Sequence, residues 1–507
     1  MAEPAPRVRR RATLGPETLL SSLAVVLAVS VLQRTIGFGR SLLFCRWLDA
    51  EQLGRWEMAY GFLILAAPLA VLGLPGSFGR YLEKHRQSGQ LGVFLRRTTT
   101  WTLLLAGSTL AVMAWRRETV AALVFGDASR AALAGGVVAC LGLVILHHYF
   151  EAVFAGLRMY RVVSTMHFTQ SVSFAVVSLA LVAFWRPAAA SIVIGYASGC
   201  LISILLVAVA ASMRVESGPP RGEAVAHAAF WPPLMRFAFW VWVTNLLTNV
   251  FSTCDRYMII HYGGFDADRA LVQVGNYHTS TIVPVLLVSI ANLMVGAMTP
   301  HLSHDWECGR RDEVAARLNL ALKLGALAML AAGAAILTLA PALFQYAFEN
   351  KYAAGLAVMP WTISACVWFA LLLVAQQYLW CAEKSRLATA PLAVGLVANL
   401  GLNLVLLPRW GLLGAVVATA AATLLTLLAQ LVVNRRCGMA IDRGAVLVAF
   451  CPALLAAGAM PATAGAIGLG ALALLRGWVF TDAERADITA AAMAKLTPLA
   501  ARFRRAA

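Results

Sequence analysis

Long apolar runs separated by short basic stretches set the pattern of this chain. Eight windows contain no Asp, Glu, Lys or Arg: Thr98–Trp115, Val162–Trp185, Pro187–Met213, Ala270–His304, Leu324–Phe348, Tyr352–Ala382, Leu387–Pro408 and Trp410–Asn434. A helix that crosses a bilayer needs about 20 mostly apolar residues, and each window is near or above that length. Four further stretches, 18–44, 58–79, 131–157 and 234–260, are similar but carry an internal charge. The run Gly444–Leu475 holds Pro452 and Pro461. It is long for one upright span and short for two, so it reads as a helical hairpin. The pattern predicts an all-α polytopic membrane protein with about 14 transmembrane helices.

Composition changes the picture only by exclusion. The 507 residues are 60% hydrophobic and 13% charged, where soluble chains carry about 25% charge. A water-soluble enzyme and a disordered chain are both ruled out. The net charge of +17 would suggest nucleic acid in a soluble protein. Here, with the N-terminus placed in the cytoplasm, 29 of the 41 Lys and Arg fall in alternate, cytoplasmic loops and nine on the other side. Arg34, Arg40 and Arg256 lie within spans. That asymmetry predicts cytoplasmic N- and C-termini, with the basic loops facing anionic lipid headgroups and not nucleic acid. The nine cysteines are scattered, without a CxxC pair, so no disulfide framework or metal site is legible.

The chain also repeats. "LDAEQLGRWEMAYGFLI" and "FDADRALVQVGNYHTSTIV" each precede a span and then a basic loop, and the pairs Gly54/Gly275 and Trp56/Tyr277 share a single offset in sequence number. Phe125/Phe348 and Arg186/Arg409 keep that offset to within two positions. This predicts a duplicated six-helix unit: two six-helix bundles related by a pseudo-twofold along the membrane normal, as in transporters with parallel repeats. The expected organisation is a basic cytoplasmic N-terminus (1–17), an N-terminal bundle (18–213), a cytoplasmic linker (214–229), a C-terminal bundle (230–434), the C-terminal helical hairpin (444–480) and a basic cytoplasmic tail (481–507). A cleft between bundles that rock against each other gives alternating access. It names no substrate.

Polar residues inside spans are costly and mark a cavity or a partner. Arg34 and Arg40 in the first span point roughly 120° apart on an ideal helix, with Gly37 and Gly39 between them as places where distortion would bring both to one cavity. A guanidinium fork suits phosphate. Arg34 is expected to line the cavity; Arg40 reads equally as snorkelling to the outer headgroups. In the seventh span Asn245, Thr248, Asn249, Ser252, Asp255 and Arg256 fall on one helical face, expected to line the cleft. Asp255 follows Arg34 by the same offset as Gly275 follows Gly54, which makes an Arg34–Asp255 gate a candidate. His147 and Glu151, with His148 beside them, are candidates for ion or proton coupling, as is Asp255, against a structural hydrogen bond. Asn399 and Asn403 are candidates for polar packing between helices. Arg80 is a candidate for headgroup access, against a plain topology determinant. No catalytic residue, metal ligand or cofactor is assigned. There is no GxxxxGK[ST] for ATP, and the short outer loops leave little room for a glycosyltransferase domain.

Three segments carry a family resemblance. The first holds Asp255-Arg256, Gly275-Asn276-Tyr277 and Pro300-His301-Leu302-Ser303; the second holds Asn399, Asn403, Pro408, Gly411, Gly414 and Ala415; the third is "RWLDAEQLGRWEMAYGFLILAAPLAVLGLPGSFGRYL". Together, over about residues 20–435, they resemble bacterial polysaccharide-transporter flippases. The resemblance implies the multidrug/oligosaccharidyl-lipid/polysaccharide exporter fold in a bacterial inner membrane. It also implies a polyprenyl-pyrophosphate-linked oligosaccharide moved from the cytoplasmic to the outer leaflet. The arginines would meet the pyrophosphate. Implied partners are membrane lipids, that lipid-linked glycan and polysaccharide polymerase or ligase machinery. "QRTIGFGRSLLFCRWL" is also similar to the first span of lipid II flippases, with Ser41 where an acidic residue is usual. Lipid II and a drug cation are alternative cargoes. A membrane-embedded envelope-glycan ligase is the alternative of another class, and would need catalytic groups among Asp127, Asp266 and Asp268.

Overall fold

A computed structural model describes residues 16–212, 227–475, 479–481 and 484–486. The basic N-terminal segment, most of the linker and most of the tail lie outside the described residues. Every regular element among those described is helical. The N-terminal half comprises α1 (Pro16–Trp47), α2 (Ala50–Ala70), α3 (Phe78–Gln87), α4 (Leu91–Trp115), α5 (Arg117–Phe125), α6 (Ala131–Gly156), α7 (Tyr160–Phe184) and α8 (Ala189–Ser212). The C-terminal half follows with α9 (His227–Tyr262), α10 (Ala267–Thr281), α11 (Val285–Glu307), α12 (Arg311–Tyr346), α13 (Ala353–Ala375), α14 (Gln377–Cys381), α15 (Ser385–Trp410) and α16 (Leu412–Arg436). Last come α17 (Arg443–Phe450), α18 (Ala453–Ala456) and α19 (Ala459–Leu475).

Eight of the described helices are long and apolar enough to cross a membrane, and nine if the bent pair α2–α3 counts as one span. This is fewer than the 14 read from the sequence. α4 and α9 are long enough, at 25 and 36 residues, but break their apolar runs with arginines, threonines and the polar stripe of α9. The last stretch divides into short arms, Arg443–Ala456 and Ala459–Ala473. The chain then returns to its own start: a Cβ on Gly444 would lie 2.2 Å from the Val479 carbonyl oxygen. There the buried Lys323 ammonium of α12 is clasped by Asp442 and by Glu484, 2.8 Å away.

Lipid tails are as apolar as leucine, so helices in a bilayer associate through close packing at small residues. α8 meets α7 through Gly195-x-x-x-Gly199, where added Cβ atoms would come within 2.6 Å of Ser178 and 2.8 Å of Gln170. Within each half the same logic joins α15 to α16 and α13 to α16. α2 bends by 65° before it continues into Leu74–Leu82. Pro68 has no N–H to give its helix, and Leu72 and Gly73 take positive φ. The indole side of Trp242 fills the space a side chain on Gly73 would need.

One packing feature runs between the halves. Phe230 and Leu234, near the start of α9, are buried with Leu74, Phe78, Leu82, Phe94, Tyr149 and Val153 of the N-terminal half. Tyr81 donates a hydrogen bond to the Pro233 carbonyl at 3.0 Å. Further along, α9 packs on α15 and α16. α9 therefore straddles the two halves.

Candidate transport site

The halves meet most closely where α2 crosses α10. A Cβ on Gly54 would lie 1.9 Å from the Leu271 carbonyl oxygen, and one on Gly275 would lie 1.9 Å from the Ala50 carbonyl oxygen. The two approaches are mirror images in sequence, because Ala50 and Leu271 are themselves repeat equivalents, spaced as Gly54 and Gly275 are. Asp49 and Asp266 cap the two helices by accepting from the Gln52 and Arg269 amides, which fixes where each begins.

Around this crossing the same end of the molecule is bolted across the halves. Tyr352 donates to the Leu48 carbonyl at 2.9 Å, Lys351 donates to the Arg46 carbonyl at 2.6 Å, and Arg46 pairs with Glu349 at 3.5 Å. On the other flank Arg130 pairs with Asp268, and lies 3.7 Å from Glu51. His261 bonds the Leu123 carbonyl at 2.8 Å. Asp127 and Asp268, weighed above as outer catalytic groups, are held by Ser129 and Arg130. Asp127 accepts the hydroxyl and backbone N–H of Ser129, which keeps its carboxyl below the usual range. A strong acid bound in a turn is poorly suited to general acid work.

One turn further along α2, Glu57 is buried at 4% exposure. Its carboxylate meets Arg256 of α9 at 3.1 Å and His278 of α10 at 3.0 Å. A buried carboxylate is stable only when paired and hydrogen-bonded, so this trio ties the halves together. The sequence reading passed over Glu57. The signal was present in the repeat, since Glu57 and His278 are also equivalent positions of the two copies.

The sequence-derived candidates disperse. α1 stays a regular helix through Gly37 and Gly39, so Arg34 and Arg40 are not drawn together. Arg34 is exposed. The Arg40 guanidinium lies 3.9 Å from the ring centre of Phe174, beside the packed rings of Phe44, Trp56, Tyr60 and Tyr196. Arg40 Nε is buried there without a hydrogen-bond partner among the described residues. Arg80 is exposed on α3.

The stripe on α9 divides between neighbours. Asn245, Thr248 and Asn249 line a cavity of about 350 Å³ with the bent part of α2 and with His148 of α6. Ser252 is exposed and bonds back to the Asn249 carbonyl. Asp255 turns into the C-terminal half and is fully enclosed. Asn399 and Asn403 each donate to its Oδ1 at 3.0 Å, while Thr419 and Tyr277 donate to Oδ2 at 2.6 and 3.2 Å. The Arg34–Asp255 gate is therefore corrected: all four donors to Asp255 come from its own half, and it makes no ion pair with Arg34. Asn399 and Asn403 join helices as a polar pair would, with Asp255 as their shared acceptor. Glu151 also differs from expectation. It bonds His167 of α7 at 3.1 Å, and does not take His147 as its partner. An apolar cavity of about 490 Å³ lies beside the stripe, lined by Phe62, Met113, Val250 and Tyr257 among others.

Residues 19–306 match the polysaccharide biosynthesis protein family, more than half of the chain. The chain belongs to that family. Solved structures agree on the fold. The lipid II flippase MurJ in an inward closed conformation superposes with a TM-score of 0.66 at 11% identity, over 89% of this chain and 98% of that one. A multidrug resistance MATE family transporter of the MOP superfamily matches in its inward-facing conformation with a TM-score of 0.65 at 13% identity, over 80% and 94%. An outward-facing MATE structure gives 0.54 at 13% identity, over 81% and 92%. No curated protein sequence matches the chain. This member of the polysaccharide biosynthesis family is thus a multi-pass membrane protein with the fold of flippases and transporters.

Proposed function

We propose that the protein moves a polyprenyl-pyrophosphate-linked oligosaccharide from the cytoplasmic to the outer leaflet of a bacterial inner membrane by alternating access. The observation that carries this reading is the closure between the halves at the α1–α2 end. The halves are sealed at the α1–α2 end by Gly54, Gly275 and the Glu57–Arg256–His278 trio, while the mainly apolar cavity that Asn245, Thr248, Asn249 and His148 edge lies away from that seal. With both termini in the cytoplasm, as the charge asymmetry implies, the sealed end faces outward and the state is inward. The higher superposition on the inward-facing than on the outward-facing MATE structure supports that assignment. The two halves then correspond to two six-helix bundles related by a pseudo-twofold along the membrane normal. Breaking the seal and closing the other end completes the cycle.

Family membership supports a glycan cargo, and the chemistry of the span residues supports an anionic lipid. Arg34, Arg40 and Arg256 are arginines within spans, Arg256 being paired with Glu57 in the closed seal; a guanidinium binds two phosphate oxygens at once. The half-buried Tyr60 and Tyr196 rings offer edges to sugars, and the apolar cavity suits a polyprenyl chain. Asp255, held by four neutral donors, is the candidate for coupling to an ion or proton.

The test is translocation in proteoliposomes that hold a fluorescent polyprenyl-pyrophosphate oligosaccharide, with leaflet exposure read by an impermeant glycosidase. Wild type should speed exchange, and Arg34→Ala and Arg40→Gln should abolish it. If exchange stays at the protein-free rate for every lipid-linked glycan in a panel but rises with lipid II, the cargo is lipid II. If neither moves while a cationic dye does, the reading of an anionic cargo is refuted.

A further inference from the structure

Beside the 350 Å³ cavity lies a cluster of which only His148 reaches the lining. His147, His148 and Glu151 of α6 each present one donor atom, and these three atoms lie within 4.8 Å of one another. Spacings of three and four residues put His148 and His147 over Glu151 on one helical face. His167 of α7 closes the group. Its Nε2 holds Glu151 Oε1 at 3.1 Å, and its ring centre is 6.1 Å from that of His147.

His147 supplies the second observation. It is buried at 4% exposure, and its Nε2 has no hydrogen-bond partner among the described residues. Buried polar atoms are normally satisfied, and an orphan asks for a reason. Here the orphan nitrogen sits among two other imidazoles and a carboxylate. A hydroxyl or amide partner would satisfy it as a simple packing group, and none of the described residues supplies one. Two imidazoles and one carboxylate are a borderline donor set. It suits zinc and its first-row neighbours, whereas hard cations such as sodium, magnesium and calcium prefer all-oxygen shells.

We infer that His147, His148 and Glu151 form a binding site for a divalent transition-metal ion of the zinc class, with His167 orienting the carboxylate. Donors around tetrahedral zinc lie about 3.4 Å apart, so closure requires shifts of roughly an ångström. His148 is exposed and lines the 350 Å³ cavity, which gives it freedom to move and gives the ion a way in. Bound there, the ion would clamp Glu151 between α6 and α7.

The experiment is zinc titration by calorimetry on the purified full chain, repeated with excess magnesium. A cobalt absorption spectrum provides a second readout. The expected result is one zinc per chain, unaffected by magnesium, with cobalt showing tetrahedral d–d bands and no thiolate charge transfer. His148→Ala and Glu151→Gln should each weaken binding about 10–100-fold. Because His148 is exposed, its variant should elute and melt as wild type does. Cys308, whose sulfur lies 3.8 Å from His304 Nε2, is the competing ligand pair, so Cys308→Ser should leave zinc binding intact. Absence of zinc binding, binding unchanged in both cluster variants, or binding lost in Cys308→Ser would each overturn the assignment.

Discussion

A single methyl group added at the α2–α10 crossing should open the sealed end. A Cβ on Gly54 would sit 1.9 Å from the Leu271 carbonyl oxygen. Carbon–oxygen contacts relax at about 3.3 Å, so Gly54→Ala must push the two backbones apart by roughly 1.4 Å. Backbone cannot rotate away as a flexible side chain can. Overpacking of this kind costs about 1–3 kcal/mol. If the helices separate when the end opens, the cost falls on the closed state alone, which lowers the closed-to-open ratio about 5–150-fold. A Leu271→Cys reporter in a cysteine-free background reads this directly, because Leu271 is fully buried at the crossing. Its labelling by a membrane-impermeant maleimide from the outer face should accelerate within that range.

The sign separates this from an ordinary substitution in a helix. Alanine is a better helix former than glycine by about 1 kcal/mol, and Gly136 of α6 has nothing within 4 Å of its added Cβ. Gly136→Ala should therefore raise the melting temperature and leave labelling unchanged. Gly54→Ala combined with Gly275→Ala should give less than the sum of the two, because one clash already parts the helices that make the other. Equal labelling in Gly54→Ala, Gly136→Ala and wild type would refute the reasoning.

Glu57→Gln removes the buried counter-charge of Arg256 and one of the two acceptor oxygens, and breaking a buried pair from one side costs about 3–5 kcal/mol; thermal melting in detergent should fall, and a double-mutant cycle with Arg256→Gln should show coupling. Exchanging charges, Arg34→Asp with Asp255→Arg, should not rescue transport lost in the single variants, because the donors to Asp255 are Asn399, Asn403, Thr419 and Tyr277. Burial pushes the Glu484 carboxyl up, but its bonds to Lys323 and Thr481 outweigh that and hold it below the usual value. A depressed carboxyl contributes stability above its unfolded pKa and loses it as pH falls through the folded value; melting should decline below about pH 4.5 in wild type and decline less in Glu484→Gln.

Much of the fold was legible because membrane helices announce themselves. Without water to bond the backbone, each crossing must be helical and apolar, and the windows from Val162 to Asn434 did become helices. The count was less legible. Whether the short arm Arg443–Ala456 crosses a bilayer or folds back within it depends on what it packs against, and here it rests on α12 and α13. The α9 stripe was legible as a face, but periodicity says nothing of which neighbour each residue meets. A helix that straddles two halves sends Asn245 to a cavity, Asp255 into a polar knot and Arg256 to Glu57. Lys323 counted as one more cytoplasmic charge, since the acids that bury it lie far later in the chain, at Asp442 and Glu484.

Repeat equivalence called for a stricter use, and geometry says which. In a pseudo-twofold arrangement, two equivalent residues are separated by twice their distance from the axis. Only residues beside the axis can touch their counterparts. Gly54 and Gly275 pack at the same crossing, and one turn on, Glu57 meets His278 at 3.0 Å. Arg34 and Asp255 carry the same offset, but α1 packs on α7 and leaves Arg34 exposed, while Asp255 turns from α9 toward α15 and α16. Their opposite charges were no evidence of contact. On the proposed duplication, Glu57 and His278 occupy one self-facing position with different residues, which a duplicated chain permits and a symmetric dimer of identical chains does not. The dimer would place like against like on its axis; the fused chain can set a carboxylate against an imidazole there. In the proposed cycle such a closure gains from that asymmetry, because the pair attracts when the halves meet and each member is solvated when they part.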